Sequence, residues 1–262
     1  RPCTSNRIMS FFDMAIPLTT DCSSPKATVI VSTFNRPDTL EKVIWGFQSQ
    51  TSQDFELIIA DDGTGEETAT LLANFQNEGV SLKHLWQENS GFRKNRILNI
   101  AIDAAQAPYL IFTDGDCIPR ADFVATHLRM RKPGYFLSVG SHIGVPKQFH
   151  DSIDRQAIQS GDCFKPAWLR SIGYQSKKGL PRVATSKMFQ PLLNYLSHRK
   201  DIFTGNGSSV WREDALAING FDERMQYGGD DKEFGVRLVA SNVKSKMCKY
   251  SLISLHLDHD KP

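Results

Sequence analysis

Asp114-Gly115-Asp116 directly follows the apolar run at 109–113 (YLIFT). Two carboxylates flanking a glycine can place one or both groups on a divalent cation. The glycine permits a sharp turn and the close approach of a phosphate. The same tripeptide also makes a plain turn after a strand. Asp61-Asp62-Gly63-Thr64 closes a second apolar run. A carboxylate there can accept the N–H of a nucleobase edge or a ribose hydroxyl, or can cap a helix. Thr33-Phe34-Asn35-Arg36 closes a third. Its polar groups can hold the same base and ribose, or can cap a helix with Arg36 left in solvent.

Three further groups carry charge at helix ends. Gly91-Phe92-Arg93-Lys94-Asn95-Arg96 opens a helical pattern with three cations. Cations oppose the dipole at a helix N-terminus, whereas phosphate is welcome there, so the cluster reads as an anion site or as a solvated basic face. Tyr227-Gly228-Gly229-Asp230-Asp231 opens a later helix. Its acids can cap that helix, or supply a general base from a glycine turn. The dipole there predicts an ionised carboxylate with a low pKa. His256 and His259 lie in the terminal LHLDHD. One imidazole could complete a metal site begun by Asp116, and a mixed carboxylate and imidazole set suits Mn²⁺. Two surface histidines near a tail is the plain alternative.

The elements that must position these groups alternate. Strands are predicted at 27–32, 55–60, 82–87 and 109–113. Between them lie a helix starting near Pro37, with Leu40, Val43, Ile44 and Phe47 at helical spacing, and helices at 66–77 and 92–106. Such alternation specifies right-handed βαβ units on a parallel sheet, whose ligands sit beyond the carboxyl ends of the strands. The polar tetrapeptides above are those ends. Past Asp116 the pattern loosens. Strands are expected at 135–143, 203–210 and 249–257, and helices at 212–219 and 230–240. Residues 170–186, rich in Gly, Lys and Ser, are expected to be a mobile loop that orders over bound donor.

The 262 residues suffice for one large domain or two small ones, with a core that needs no staples. Charged residues at 23% and hydrophobic residues at 40% exclude a disordered chain, a collagen-like fibre and a coiled coil. A net charge of +2 gives no electrostatic footprint for nucleic acid. No apolar run approaches the ~20 residues of a membrane span. Five cysteines without a CxxC pair point to a reduced compartment. The polar start at Arg1, with Met9 soon after, suggests added residues before a native start.

In one chain, these segments resemble the family-2 glycosyltransferases of GT-A fold, over nearly all of 26–262. ATVIVSTFNR, ELIIADDGT and YLIFTDGDCIP are similar to that family's nucleotide-binding strands and DxD motif. FRKNRILNIAI and YGGDDKEFGVRL resemble stretches of β-1,4-galactosyltransferases and bacterial chondroitin-type polymerases. GNGSSVWREDALAINGFDE resembles their acceptor-side segment. The resemblance implies residues 1–24 as an extension, then one domain over 25–262. Its 25–120 half would bind nucleotide-sugar and its 121–262 half would bind acceptor. It implies Asp61 and Asp62 on uridine, with Thr33, Asn35, Arg36 and Asn99 also on the donor. Arg93 or Lys94 would meet pyrophosphate, Asp114 and Gly115 ribose or metal, and Asp116, Asp114 and His256 the metal, with His259 a rival. Asp231 would be the base and Asp230 would steer the acceptor. The implied activity is metal-dependent transfer of a sugar from a UDP-sugar to a saccharide hydroxyl, with inversion and Mn²⁺ or Mg²⁺ as cofactor. The implied location is the cytoplasm, with peripheral association at the inner membrane face. A nucleotidyltransferase would want a Gly-rich basic loop where STFNRPD stands. A non-catalytic UDP-binding module would leave Asp231 dispensable.

Overall fold

In a computed structural model describing residues 24–140, 142–197 and 203–259, the β-branched run after Lys26 forms β1 (Ala27–Thr33), buried along its whole length. Continuous apolar runs of this kind need cover on both faces. β1 pairs in parallel with β2 (Phe55–Asp61) on one side and β4 (Tyr109–Asp114) on the other. β3 (Lys83–Trp86) extends the sheet beyond β2, again in parallel. Three helices make the crossovers: α1 (Pro37–Gln48), α2 (Glu66–Asn77) and α3 (Lys94–Ala104). Proline at the start of α1 is pre-set for a helix and lacks only an N–H that would have no partner there.

The pleat of β1 divides the core. Ala27, Val29 and Val31 pack with Leu40, Val43 and Ile44 of α1. Ile30, with Ile58 and Ala60 of β2, packs on the other face against Ile97, Leu98 and Ala101 of α3. Period 2 in the strands and period 3.6 in the helices meet on both faces.

Beyond β4 the chain forms β5 (Cys117–Pro119), α4 (Phe123–Met130), β6 (Tyr135–Ser138) and β7 (Ile143–Val145). Short helices follow: α5 (Arg155–Gln159), α6 (Pro166–Ser171), α7 (Gly179–Ala184) and α8 (Gln190–Tyr195). β8 (Ser209–Trp211), α9 (Arg212–Ala217), α10 (Asp230–Ala240), β9 (Lys244–Met247) and β10 (Ser254–Leu257) complete the described chain. The seven-stranded sheet runs β3-β2-β1-β4-β8-β6-β9. Only β8 lies antiparallel to its neighbours, so the sheet is mainly parallel. A second sheet, β5-β10-β7, sets β10 antiparallel to β5 and parallel to β7. The α/β class and the four N-terminal strands agree with the sequence reading.

The second half differs from it. The single strand expected at 135–143 is two strands in different sheets, separated by Gly140 at φ +70°. The strand expected at 249–257 starts only at Ser254, because Cys248 O accepts from Ser251 N and Leu252 N in a turn. The strand expected at 203–210 is β8, which begins at Ser209. Residues 170–186 are not a bare loop: they hold α7, anchored by buried Arg182, which donates to Lys249 O and His142 O. Those partners are remote in sequence, so local composition could not reveal them. Cys117, Cys163 and Cys248 are buried free thiols. Cys3, Cys22 and the expected start at Met9 lie outside the described residues.

Candidate active site

A cleft of about 1070 Å³ opens at the carboxyl ends of β1, β2 and β4. The turn after β1 brings Thr33, Asn35 and Arg36 to its wall, with Asn35 in the left-handed region at φ +50°. Thr33 Oγ1 is buried there with no hydrogen-bond partner. The Asp-Gly-Asp turn lies directly against β1. Gly115 N donates to Ser32 O at 2.7 Å, and a Cβ on Gly115 would stand 3.1 Å from that same oxygen. A side chain here would press on Ser32 O and Thr33 and force this tight approach to open by a few tenths of an ångström.

Asp114 Oδ1 accepts from Ser32 Oγ at 2.8 Å and from Lys94 Nζ at 2.7 Å. Burial works to raise the Asp114 carboxyl, but the Lys94 charge and these hydrogen bonds hold it below the usual range. Burial likewise disfavours the Lys94 ammonium, yet the charges of Asp114, Asp231 and Asp230 hold it protonated, its pKa raised. Of the three cations at the start of α3, Lys94 lines the cleft. Arg93 turns its guanidinium to Glu88 O, and Arg96 binds Gln87 Oε1 at 2.5 Å.

Asp116 meets two imidazoles. His259 Nε2 is 2.9 Å and His256 Nε2 3.5 Å from Asp116 Oδ2. The second sheet makes this meeting, because its register sets His256 opposite Cys117. Asp258 Oδ1 lies 2.9 Å from His256 Nδ1, which leaves Nε2 facing Asp116, and His142 stacks on the ring with centroids 4.3 Å apart. The ligand atoms of Asp116, His256 and His259 all lie within 4.8 Å of one another. One carboxylate, two imidazoles and a carboxylate behind one of them fit a divalent ion such as Mn²⁺.

Asp231 stands at the start of α10, after Gly228 and Gly229 at φ +98° and +103°. Its Oδ2 accepts from Gly205 N at 2.8 Å, and its Oδ1 is buried without a hydrogen-bond partner. Burial, with Asp114 and Asp230 adding repulsion, pushes its carboxyl up to about 6 against the pull of Lys94 and Gly205. The low pKa expected from the helix dipole is thus reversed: desolvation outweighs the dipole. Asp231 and Asp230 do not themselves line the cleft, while Lys94, Asn206 and Tyr227 do.

Three expected donor contacts are placed elsewhere. Asp61 is fully buried and binds Gly63 N, Thr64 N, Thr64 Oγ1 and His84 Nε2, so its carboxylate holds the turn and does not reach the cleft. Its neighbour Asp62 does line the cleft, fixed by Gln87 Nε2 at 2.5 Å and Arg93 N at 2.9 Å. Arg93 is not among the lining residues. Asn99 exchanges hydrogen bonds with Phe221 N and O, tying α3 to the chain near Gly220. The sequence reading missed His142, Asn206, Gly205 and Asp258. Gly205 and Asn206 fall in the quoted GNGSSV segment; His142 had no local signal.

Residues 28–190 match glycosyl transferase family 2, and residues 186–260 match the N-terminal domain of galactosyltransferase. Chondroitin synthase of Pasteurella multocida is 24% identical over 228 residues, which is 81% of this chain and 23% of that one. The chain spans 36%, 65% and 22% of the lengths of three other curated relatives. Among solved structures, S. aureus TarS 1–349 in complex with UDP-GlcNAc superposes with a TM-score of 0.61 at 16% identity, over 90% of this chain and 60% of that one. Mannosyltransferase PcManGT from Pyrobaculum calidifontis, in complex with GDP-Man and Mn²⁺, gives 0.59 at 17% identity, over 92% and 59%. Those likenesses fix the fold as GT-A. Because the family match covers more than half of the chain, from β1 through both turns of the cleft, this protein is a glycosyltransferase that belongs to glycosyl transferase family 2.

Proposed function

We propose that this chain transfers a sugar from a UDP-sugar to a hydroxyl of a saccharide acceptor, with inversion and with Mn²⁺ or Mg²⁺ as cofactor. One observation carries the reading. A buried carboxylate oxygen without a hydrogen-bond partner, Asp231 Oδ1, stands beside Lys94, and Lys94 shares a cleft with Asp114, Asp116, His256 and His259. The relatives support the substrate classes: TarS was solved with UDP-GlcNAc, PcManGT with GDP-Man and Mn²⁺, and the synthase is named for a polysaccharide.

Asp116, His256 and His259 would hold the cation, with Asp114 beside them. A bound cation neutralises charge that grows on the departing diphosphate. Asp62, Thr33, Asn35 and Arg36 orient the nucleoside, and Lys94 adds positive charge near the phosphates. Asp231 accepts the proton of the acceptor hydroxyl as that oxygen bonds to the anomeric carbon. The bond from that carbon to the phosphate oxygen breaks on the opposite face, and the leaving diphosphate takes its electron pair. A carboxyl near 6 is mostly ionised at neutral pH yet more basic than an ordinary carboxylate, which suits a base.

A panel of UDP-sugars tested with Mn²⁺ for UDP release, without and then with oligosaccharides, tests the reading. At least one donor should be hydrolysed slowly and transferred faster when acceptor is present. Chelator should stop both reactions. Turnover undiminished in chelator would overturn the metal assignment, and turnover of GDP-sugars alone would overturn the donor assignment.

A further inference from the structure

Charge is segregated along this nearly neutral chain. Residues 163–200 contain eight Lys and Arg and no Asp or Glu. The other 23 cations and 29 acids leave the rest of the chain at −6. Lys165, Arg170, Lys177, Lys178 and Lys187 of this stretch are all exposed.

The same stretch is apolar on its outside. α8 is built inside out. Its inward positions are Gln190 and Asn194, four apart on one face and both buried. Gln190 Nε2 donates to Thr185 O, while Asn194 binds Ser251 Oγ at 2.8 Å and Tyr250 N at 2.8 Å. The outward positions are Leu192, Tyr195 and Leu196, at spacings of three and four, with Met188 and Phe189 just before them. Met188 is 75% and Tyr195 87% exposed. Five of the eleven large exposed hydrophobic residues among the described residues fall within these nine positions. Five such residues concentrated in nine positions, with the other six spread along the described chain, mark an interaction surface.

We propose that residues 186–197 dock this protein on an anionic lipid surface, side chains of Met188, Phe189, Leu192 and Tyr195 entering the headgroup boundary while exposed lysines of the same basic segment meet lipid phosphates. Exposed aliphatic and aromatic residues in a segment that carries eight cations and no acid make the composition that binds such a boundary, although Lys187 also reaches Asp122 Oδ2 at 3.5 Å. Charge argues against a second copy of the chain. A two-fold contact sets each patch against its twin, and here that would oppose two strongly basic segments. The helix that precedes the patch is tied to the cleft wall: Arg182 Nη1 of α7 donates to His142 O at 3.1 Å, and His142 lines the cleft. Docking there would hold the cleft beside the lipid headgroups. The inference does not depend on the identity of the sugar donor.

The test is co-sedimentation of the whole chain with phosphatidylcholine vesicles, pure or containing roughly one third phosphatidylglycerol, at low and high salt. The wild type should bind the anionic vesicles and leave pure phosphatidylcholine largely unbound. Binding should weaken with salt. L192D/Y195D should reduce the partition coefficient at least tenfold, and so should K177E/K178E, with unchanged circular dichroism for both. All four positions are exposed, and the two variants lie on different segments, so a folding failure in one leaves the other informative. Absence of binding to anionic vesicles would overturn the proposal, as would full binding by both variants. A wild-type dimer that L192D/Y195D turns into a monomer, with no vesicle binding, would assign the patch to a second copy instead.

Discussion

Asp231 combines features that oppose each other at the scale of one residue. Its desolvated carboxyl sits at about 6 in the fold, against roughly 3.9 in an unfolded chain. The folded state therefore binds more proton than the unfolded state between these values, so this group lowers stability as pH rises from about 4 to about 6. Asp231→Asn removes that penalty. It should raise unfolding free energy at pH 8 by up to ~3 kcal/mol, and the gain should vanish below about pH 4, as denaturant titration at both pH values would show. The same variant should lose ~10²–10⁴-fold in turnover while its affinity for UDP in Mn²⁺ stays near wild type. For the wild type, turnover should fall as pH drops through about 6. Gly205 offers a second probe. A Cβ there would stand 2.9 Å from both Asp231 oxygens. Because the far end of a side chain can move aside, Gly205→Ala should fold normally but displace the carboxylate. We expect a drop in turnover of ten-fold or more without loss of UDP binding, and a loss of the inflection near pH 6; an unchanged pH profile would mean the carboxylate has not moved.

At the scale of elements, the candidate metal ligands come together through one pairing. β10 is seated between β5 and β7, and its register carries His256 to the level of Cys117. His259 follows two residues beyond the end of β10 and comes nearer Asp116 than His256 does. The sequence reading favoured His256; the fold brings both. His259→Ala and His256→Ala should each weaken Mn²⁺ binding by roughly ten- to a hundredfold, read by titration of the metal against UDP binding. Asp258→Asn should produce a smaller loss in the same assay, since it orients His256 from behind. By contrast, Asn99→Ala breaks the bonds from α3 to Phe221 N and O. It should destabilise the chain by ~1–3 kcal/mol and leave UDP affinity intact, because Asn99 stands outside the cleft.

At the scale of the whole molecule, the chain places one cleft where strands from the N-terminal half meet residues from its last ten described positions. A cation held by Asp116, His256 and His259 would link both halves. Any ligand that binds only the folded state stabilises it by RT ln(1 + [L]/Kd), which is ~2.7 kcal/mol at a hundredfold excess over Kd. Saturating Mn²⁺ should therefore raise Tm by roughly 5–10 °C, and Asp116→Ala should abolish the rise. The likeness to two solved structures extends over nine tenths of the chain, whereas the chain spans at most about two thirds of any of the curated relatives compared above.

Local pattern alone specifies the elements of the N-terminal half. Fully buried strands such as β1 are continuous apolar runs, and helices such as α2 are periodic and stop at a glycine, Gly79 at φ +87°, so local pattern and tertiary role coincide. Strand ends then had to carry the polar turns, and Asp62, Asp114 and Asp116 lie in the cleft as the alternation implied. Side-chain direction was not legible in the same way. Asp61 and Asp62 are adjacent, yet successive residues of a strand end point to opposite sides, so one braces the turn from inside while the other faces the cleft. In the second half the signals are short and the partners distant. Arg182 anchors α7 through carbonyls at 142 and 249, and α8 hides two amides while showing its apolar side chains. Neither follows from composition within the segment. The pKa of Asp231 makes the same point in electrostatic form. A helix start predicts a low value, but the neighbours that desolvate and repel the carboxylate, Asp114 among them, are brought there by a sheet whose pairing is fixed only when the whole chain has folded.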